Sequence, residues 1–308
     1  MVPITRFTRI EKILDFIHTH LNQPISVIEL AEQSCWSRWQ LQRVFLEVTG
    51  LTVAQYIREL RLSQAAEQLL SSNAKHLDIA IDCGFESDVS FSRAFKQLFD
   101  CSPREYRQRG TRHGLRTPLQ HPPIIQSPWT PSKAFMQIRI ESHDAFTLFG
   151  RHSWVHGLFS SKPDFQICVP QIWQELETQY KHYQKAHPAF HKGDKAVGVI
   201  DTHDNKAYPQ QILYWAGYQS ENQSPLPFEK ILQIPAQEYA VIPIHGNAQA
   251  IKEALTWFIF DWLPESDYDG ISGFELEKYE ANYSPGNPNS YMEYWLPIRP
   301  RYSINEFA

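Results

Sequence analysis

SRWQLQRVFLEVT at residues 37–49 and SDVSFSRAFKQLF at residues 87–99 are the two stretches that decide how this chain folds. They repeat one another at a fixed offset of 50 residues. Ser37, Leu41, Arg43, Phe45, Thr52 and Tyr56 return as Ser87, Phe91, Arg93, Phe95, Ser102 and Tyr106. Leu41, Val44 and Phe45 recur as Phe91, Ala94 and Phe95, a 3/4 spacing that gives each helix one apolar face. Arg43 and Arg93 fall on the opposite face. A duplicated helix with a buried side and an Arg-bearing exposed side is suited to entering the DNA major groove twice.

Working outward, Ile10, Ile13, Leu14, Ile17 and Leu21 predict one amphipathic helix before the turn at Asn22-Gln23-Pro24. Ser26 has the position of an N-cap with Glu29 as its capping-box partner, and Ser37 and Ser87 cap the two reading helices. Gly50 ends the first reading helix. Asp100 stands at the matching place in the second, where Asp tolerates a left-handed backbone better than most residues. TVAQYIRELRLSQAAEQLL at 52–70 predicts an uninterrupted spacer helix about 28 Å long. That is a little short of the ~34 Å between successive major-groove faces on one side of B-DNA. Pro118, Pro122, Pro123, Pro128 and Pro131 then mark a semi-rigid, extended linker. The expected domains are 1–109, a linker at 110–134, and 135–308.

Composition sets the outer limits. The 308 residues, 42% hydrophobic and 13% aromatic, suit two domains with real cores. No apolar run approaches the roughly 18 residues needed to span a bilayer. The opening MVPITRFTRIEKIL lacks an apolar signal region, so a cytoplasmic, nucleoid-associated protein with no membrane partner is expected. Cys35, Cys83, Cys101 and Cys168 form no CxxC pair and predict reduced, mostly buried thiols. The net charge is −5, with 13 Lys/Arg against 13 Asp/Glu in residues 1–110. Local placement of arginine, rather than an overall basic field, must therefore carry any DNA contact. His143, His152 and His156, and His182, His187 and His191, match no zinc-ligand spacing. Neither a phosphate-cradling glycine loop nor a catalytic triad is present, so no metal, cofactor or catalytic residue is expected.

Past the linker the pattern changes to short strands with single helices between them. FMQIRIESHDAFTLFGRHS gives two strands, VPQIWQELETQYKHYQ a helix, and AVGVID and QQILYWAGY two more strands. The order then recurs in KILQIPAQEYAVIPIHG, the helix QAIKEALTWFIFDWL, and the strands GFELEKYEA and SYMEYWLPIRP. Tyr214-Trp215 returns as Tyr294-Trp295. A tandem α+β repeat is expected, making the chain an all-α double helix-turn-helix domain followed by an α+β domain.

WQLQRVFLEVTG at 39–50, YIRELRLSQAAEQLL at 56–70 and IAIDCGFESDVSFSRAFKQLFDCSPREYR at 79–107 resemble the DNA-binding domain of the AraC/XylS family, in its Rob-like branch. The element order and the closing strand MEYWLPIRP resemble a GyrI-like ligand-binding domain. The resemblance implies a monomeric regulator, an activator, that sets both helices on an asymmetric promoter duplex and recruits RNA polymerase. Ser37, Arg38, Trp39, Gln42 and Arg43 in the first helix, and Val89, Ser90, Ser92, Arg93 and Lys96 in the second, are the expected DNA contacts. Gln reads adenine, Arg reads guanine or phosphate, and Trp supplies apolar contact. Ser37 and Ser87 suit capping better than base reading, and Arg93 has an alternative as an ion-pair partner of Asp88 or Asp100. Relatives of the branch carry a glutamine pair where this chain has Asp88-Val89.

For the second domain, alternation places Tyr291, Glu293 and Trp295 on one strand face and Met292, Tyr294 and Leu296 on the other. A carboxylate between aromatics suits a small hydrophobic or cationic amphiphilic effector, and the resemblance to effector-binding domains points the same way. Glu293, Tyr291 and Trp295 are the lead candidates, with Trp173, Trp215, Glu277, Tyr214 and Trp257 behind them. Two other readings stay open: a small-molecule hydrolase with Glu293 activating water, and a protein-interaction module without a ligand.

Overall fold

A computed structural model describes residues 5–122, 135–187, 195–203, 211–219, 226–246, 248–280, 283–284, 287 and 290–301. The chain divides into two compact units, one ending at Glu141 and one spanning Ser142–Ser303.

In the first unit, α1 (Thr5–Thr19) buries Ile10, Ile13, Leu14 and Ile17 against α2 (Val27–Ser34), α3 (Arg38–Thr49) and α4 (Val53–Ser71). Leu41, Phe45 and Val48 of α3 close that core, each burial contributing ~1.5–3 kcal/mol. The second repeat, α5 (His76–Asp82), α6 (Asp88–Phe99) and α7 (Pro103–Arg109), is cemented by rings. Phe95 lies 5.4 Å from both Phe91 and Tyr106, and 4.5 Å from Phe99. Asp100 does take the left-handed conformation, φ 57°, in the place where Gly50 has φ 77°. Ser26 caps α2 by accepting from the Glu29 N–H, but the reciprocal bond expected of a capping box is not among the described contacts. The full boxes are Ser37–Gln40 and Ser102–Glu105.

Arg61 ties the two repeats together from α4. Its guanidinium donates to the carbonyls of Leu21, Gln23 and Gly84 at 2.8, 2.6 and 3.2 Å. A Cβ on Gly84, whose φ is +76°, would sit 2.9 Å from the Arg61 Cζ. Glycine is therefore required there by both backbone and space.

The domain boundary differs from the expected linker at 110–134. Residues 111–122 and 135–141 belong to the helical unit, because the two repeated tyrosines hold them. The Tyr56 hydroxyl accepts from Leu119 N–H at 2.9 Å and bonds His18 Nε2 at 2.6 Å. The Tyr106 hydroxyl accepts from His113 N–H at 2.8 Å. Arg116 N–H donates to Ser63 Oγ, and β1 (Leu115–Arg116) pairs with β2 (Arg139–His143). Leu115, Leu119, Phe135, Ile138 and Ile140 are all buried. Proline spacing alone does not reveal apolar anchors at such intervals. Pro123, Pro128 and Pro131 lie outside the described residues.

The second unit is one antiparallel sheet in the order β6-β3-β5-β4-β9-β10-β7. Its strands are β3 (Phe146–Val155), β4 (Lys195–Asp201), β5 (Ile212–Gln219), β6 (Lys230–Ile234), β7 (Gln237–His245), β9 (Phe274–Tyr279) and β10 (Tyr291–Pro300), with β8 (Tyr268–Gly270) on the end of β10. The succession β3-α8-β4-β5 recurs as β7-α9-β9-β10, and the halves join at β4 and β9. Helix α8 (Phe165–Ala186) packs on β3 and β5, and α9 (Ala248–Trp257) on β7. The helix expected to run on from α9 widens into a π turn, Phe258–Trp262, before α10 (Leu263–Glu265). Among the described residues no helix is long and apolar enough to cross a membrane. Cys83 and Cys101 are buried, whereas Cys35 is exposed at the left-handed end of α2.

Candidate functional site

The outer edge of α3 is built from its cap outward. Ser37 Oγ accepts from Gln40 N–H and Gln40 Oε1 accepts from Ser37 N–H, so both side chains are committed to starting the helix. Arg38, Trp39, Gln42 and Arg43 are left exposed, Trp39 by 65%. The Arg43 guanidinium lies 5.2 Å from the Trp39 ring centroid, an i,i+4 cation–π contact that stiffens the edge. Two cations, an amide and an indole therefore share one solvent-facing surface.

On α6 the same frame carries a different edge. Ser87 caps the helix through Ser90 N–H, and the Ser90 hydroxyl turns back to donate to the Ser87 carbonyl at 2.9 Å. That internal bond uses the Ser90 hydroxyl's donor, although the residue is exposed. Ser92 is half-buried. Asp88, Val89, Arg93 and Lys96 are exposed, with Asp88 standing where α3 has Arg38. Neither Arg43 nor Arg93 forms an ion pair among the described residues, so the Asp88 and Asp100 pairings open to Arg93 are not made.

The second unit presents two unlike sheet faces. Arg151, Ala216, Gly198, Glu277, Tyr294 and Ile242 are successive partners across β3, β5, β4, β9, β10 and β7, so they share a face. The neighbouring row, His152, Trp215, Val199, Leu276, Trp295 and Val241, points the other way.

The first of these faces holds a polar network. Trp173 of α8 donates its Nε1–H to Tyr214 Oη at 3.1 Å, and Tyr214 donates to Glu277 Oε2 at 2.8 Å. Tyr279 donates to the same carboxylate, and Tyr294 to Glu275. Glycine at 198 lets this network close, because a Cβ there would run into the Tyr214 hydroxyl and lie 2.8 Å from Glu277 Oε2. Glu275, Glu277 and Tyr279 are enclosed by protein yet keep some accessible surface. Burial pushes the Glu275 carboxyl up to about 7, against the Tyr294 hydrogen bond and with help from neighbouring Glu277. Burial likewise raises Glu277, opposed by the bonds from Tyr279 and Tyr214. Carboxylates held this way gain from a cationic or hydrogen-donating guest, and the half-buried Trp173 and Tyr279 rings stand beside them.

Glu293, Tyr291, Trp295 and Trp215 are on the opposite face, away from this network. There Glu293 accepts from Tyr291 Oη at 3.1 Å and Trp295 Nε1 at 3.0 Å, while Lys278 Nζ lies 3.3 Å from the Trp295 centroid. Trp295 and Trp215 are 7% and 6% exposed, in a packed cluster with Val199, Val241 and Leu276. The expected strand alternation is present; Trp295 is packed, while Tyr291 and Glu293 on the same face are half-buried. Of the six effector candidates, Tyr291, Glu293 and Trp295 meet through hydrogen bonds on this face, while Trp173 and Glu277 meet through Tyr214 on the other. The structure adds Glu275, Tyr279 and Tyr294 to the latter pair, and moves Tyr214 from the margin of the sequence reading to the centre of the network. The usable signal was Glu275-x-Glu277-x-Tyr279, three polar side chains on one strand face. Trp257 is 2% exposed, a core residue.

Residues 139–298 match the family model of the integron-associated effector binding protein, and residues 30–109 match a helix-turn-helix domain model. Regulatory protein SoxS of Salmonella typhimurium (strain LT2) is 40% identical over 100 residues, which make up 32% of this chain and 94% of SoxS. Multiple antibiotic resistance protein MarA of Escherichia coli (strain K12) is 39% identical over 114 residues, 36% of this chain and 90% of MarA. The solved structure of SAV2435 bound to tetraphenylphosphonium aligns with a TM-score of 0.40 at 12% identity, covering 53% of this chain and 93% of that one.

Proposed function

The chain belongs to the integron-associated effector-binding family and carries the helix-turn-helix domain of the AraC-type transcription regulators, and from that premise we propose a cytoplasmic activator switched by a hydrophobic, cationic effector. Helices α3 and α6 engage the two halves of an asymmetric promoter duplex, and the bound protein recruits RNA polymerase. DNA contact falls to Arg38, Trp39, Gln42 and Arg43 on α3, and to Val89, Arg93 and Lys96 on α6. The effector enters the cleft of the second unit and is held by Glu277 and Glu275 among Trp173, Tyr214, Tyr279 and Tyr294. The observation that carries the sensing half is the pair of enclosed carboxylates, each hydrogen-bonded by tyrosine and each keeping some accessible surface, on one sheet face. Ligand would act by binding one conformational state of the full chain better than another.

Titration of the full chain with tetraphenylphosphonium, an aromatic monocation, tests the cleft through tryptophan fluorescence. Glu277→Gln is expected to weaken binding about ten-fold or more. Affinity is expected to rise as pH is raised through about 7, because Glu275 is neutral below that value and ionised above it. Unchanged affinity in Glu277→Gln, or a flat pH profile, contradicts the assignment.

A further inference from the structure

Val89 is the most exposed large apolar side chain among the described residues, at 78%. It is β-branched, sits in the first turn of α6 and covers nothing in the core, so neither helix propensity nor packing accounts for it. Beside it Asp88 is exposed and forms no ion pair among the described residues. The next hydroxyl, Ser90, is bonded back to Ser87. The N-terminal end of α6, the part of a recognition helix that meets base edges, therefore offers one branched hydrocarbon and one carboxylate.

From this edge, and resting on the DNA-binding reading above, we infer that α6 reads pyrimidine edges while α3 reads purine edges. In the major groove thymine alone presents a methyl group, and cytosine presents the N4 amine as a donor. An isopropyl group matches the first and an acceptor-only carboxylate the second. Asp88 gains nothing from guanine N7 and O6, which are acceptors facing an acceptor, and less from the adenine N6 amine than from cytosine N4, because the N7 acceptor stands beside N6. On α3 the complement differs, since Gln42 can donate to adenine N7 while accepting from its N6 amine, and Arg43 can donate to guanine N7 and O6. The phosphate grip on α6 comes from Arg93 and Lys96, on the side of the helix that Asp88 does not occupy.

The test uses the full chain and a duplex it selects from a randomised pool. Thymines in the half bound by α6 are replaced singly by uracil, which removes the C5-methyl and nothing else. At one position the wild type is expected to lose about four-fold in affinity, the worth of one methyl group. Val89→Ala, an exposed change that leaves the core alone, should bind the thymine duplex about four-fold more weakly and be indifferent to uracil there. Both proteins should respond alike to uracil in the half bound by α3. Asp88→Ala should lose preference for cytosine at the adjoining position. A wild type that tolerates uracil throughout that half, or equal uracil penalties in wild type and Val89→Ala, overturns the inference while leaving DNA binding intact. Selected duplexes with sequence preference in one half only do the same. A pool yielding no enriched duplex overturns both the inference and the function it rests on.

Discussion

Helices α3 and α6 share a frame and differ at their edges. Each starts on a serine cap, turns an aromatic or aliphatic face to its own core, ends on a left-handed residue and projects an arginine outward. Yet Arg38-Trp39 in one corresponds to Asp88-Val89 in the other. The groups that hold each helix down are held constant by packing and capping, which leave little freedom. The outward groups face solvent until a partner arrives, so they are free to encode different partners. The two units differ in a similar way. The helical unit presents its candidate groups on an outer surface, whereas the sheet unit holds its carboxylates half-buried in a hydrogen-bonded network.

Two measurements press on the α3–α6 comparison. Arg43→Ala and Arg93→Ala should each cost ~1–3 kcal/mol of specific binding to the selected duplex and lower the salt slope by about one. A full loss at Arg43 with none at Arg93 would break the symmetry and reduce α6 to a structural copy. A smaller effect is expected where the frames differ, at Asp100 against Gly50. Asp100→Gly should stabilise the chain by up to ~1 kcal/mol in urea unfolding, because φ 57° suits glycine best. Destabilisation by Asp100→Gly would mean the carboxylate holds something the backbone angle does not explain.

Much of the first unit was legible because its signals are local. The stripe of α1, the serine caps, Gly50, Asp100 and the 50-residue repeat are all set within a few turns of helix. Its border was not legible, since Tyr56 meets Leu119 and Tyr106 meets His113 only once the helices have folded. In the second unit the succession of elements and the alternation could be read, but the partners each side chain meets could not. What Tyr294 and Trp295 meet depends on their partners across β9, Glu277 and Leu276, and on where α8 and α9 come to rest. Gly198 shows the same limit. Within AVGVID it is one small residue in a strand, and its purpose appears only with the Tyr214 hydroxyl above it.

The central claim is that the cleft and the reading helices act as one device. It is tested most directly by the affinity of the full chain for its selected duplex, with and without saturating tetraphenylphosphonium. A coupling free energy of ~1–3 kcal/mol predicts a change of about five- to 150-fold in wild type, and none in Glu277→Gln. Equal DNA affinity with the cleft empty and occupied, in a protein whose tryptophan fluorescence reports full occupancy, would contradict it.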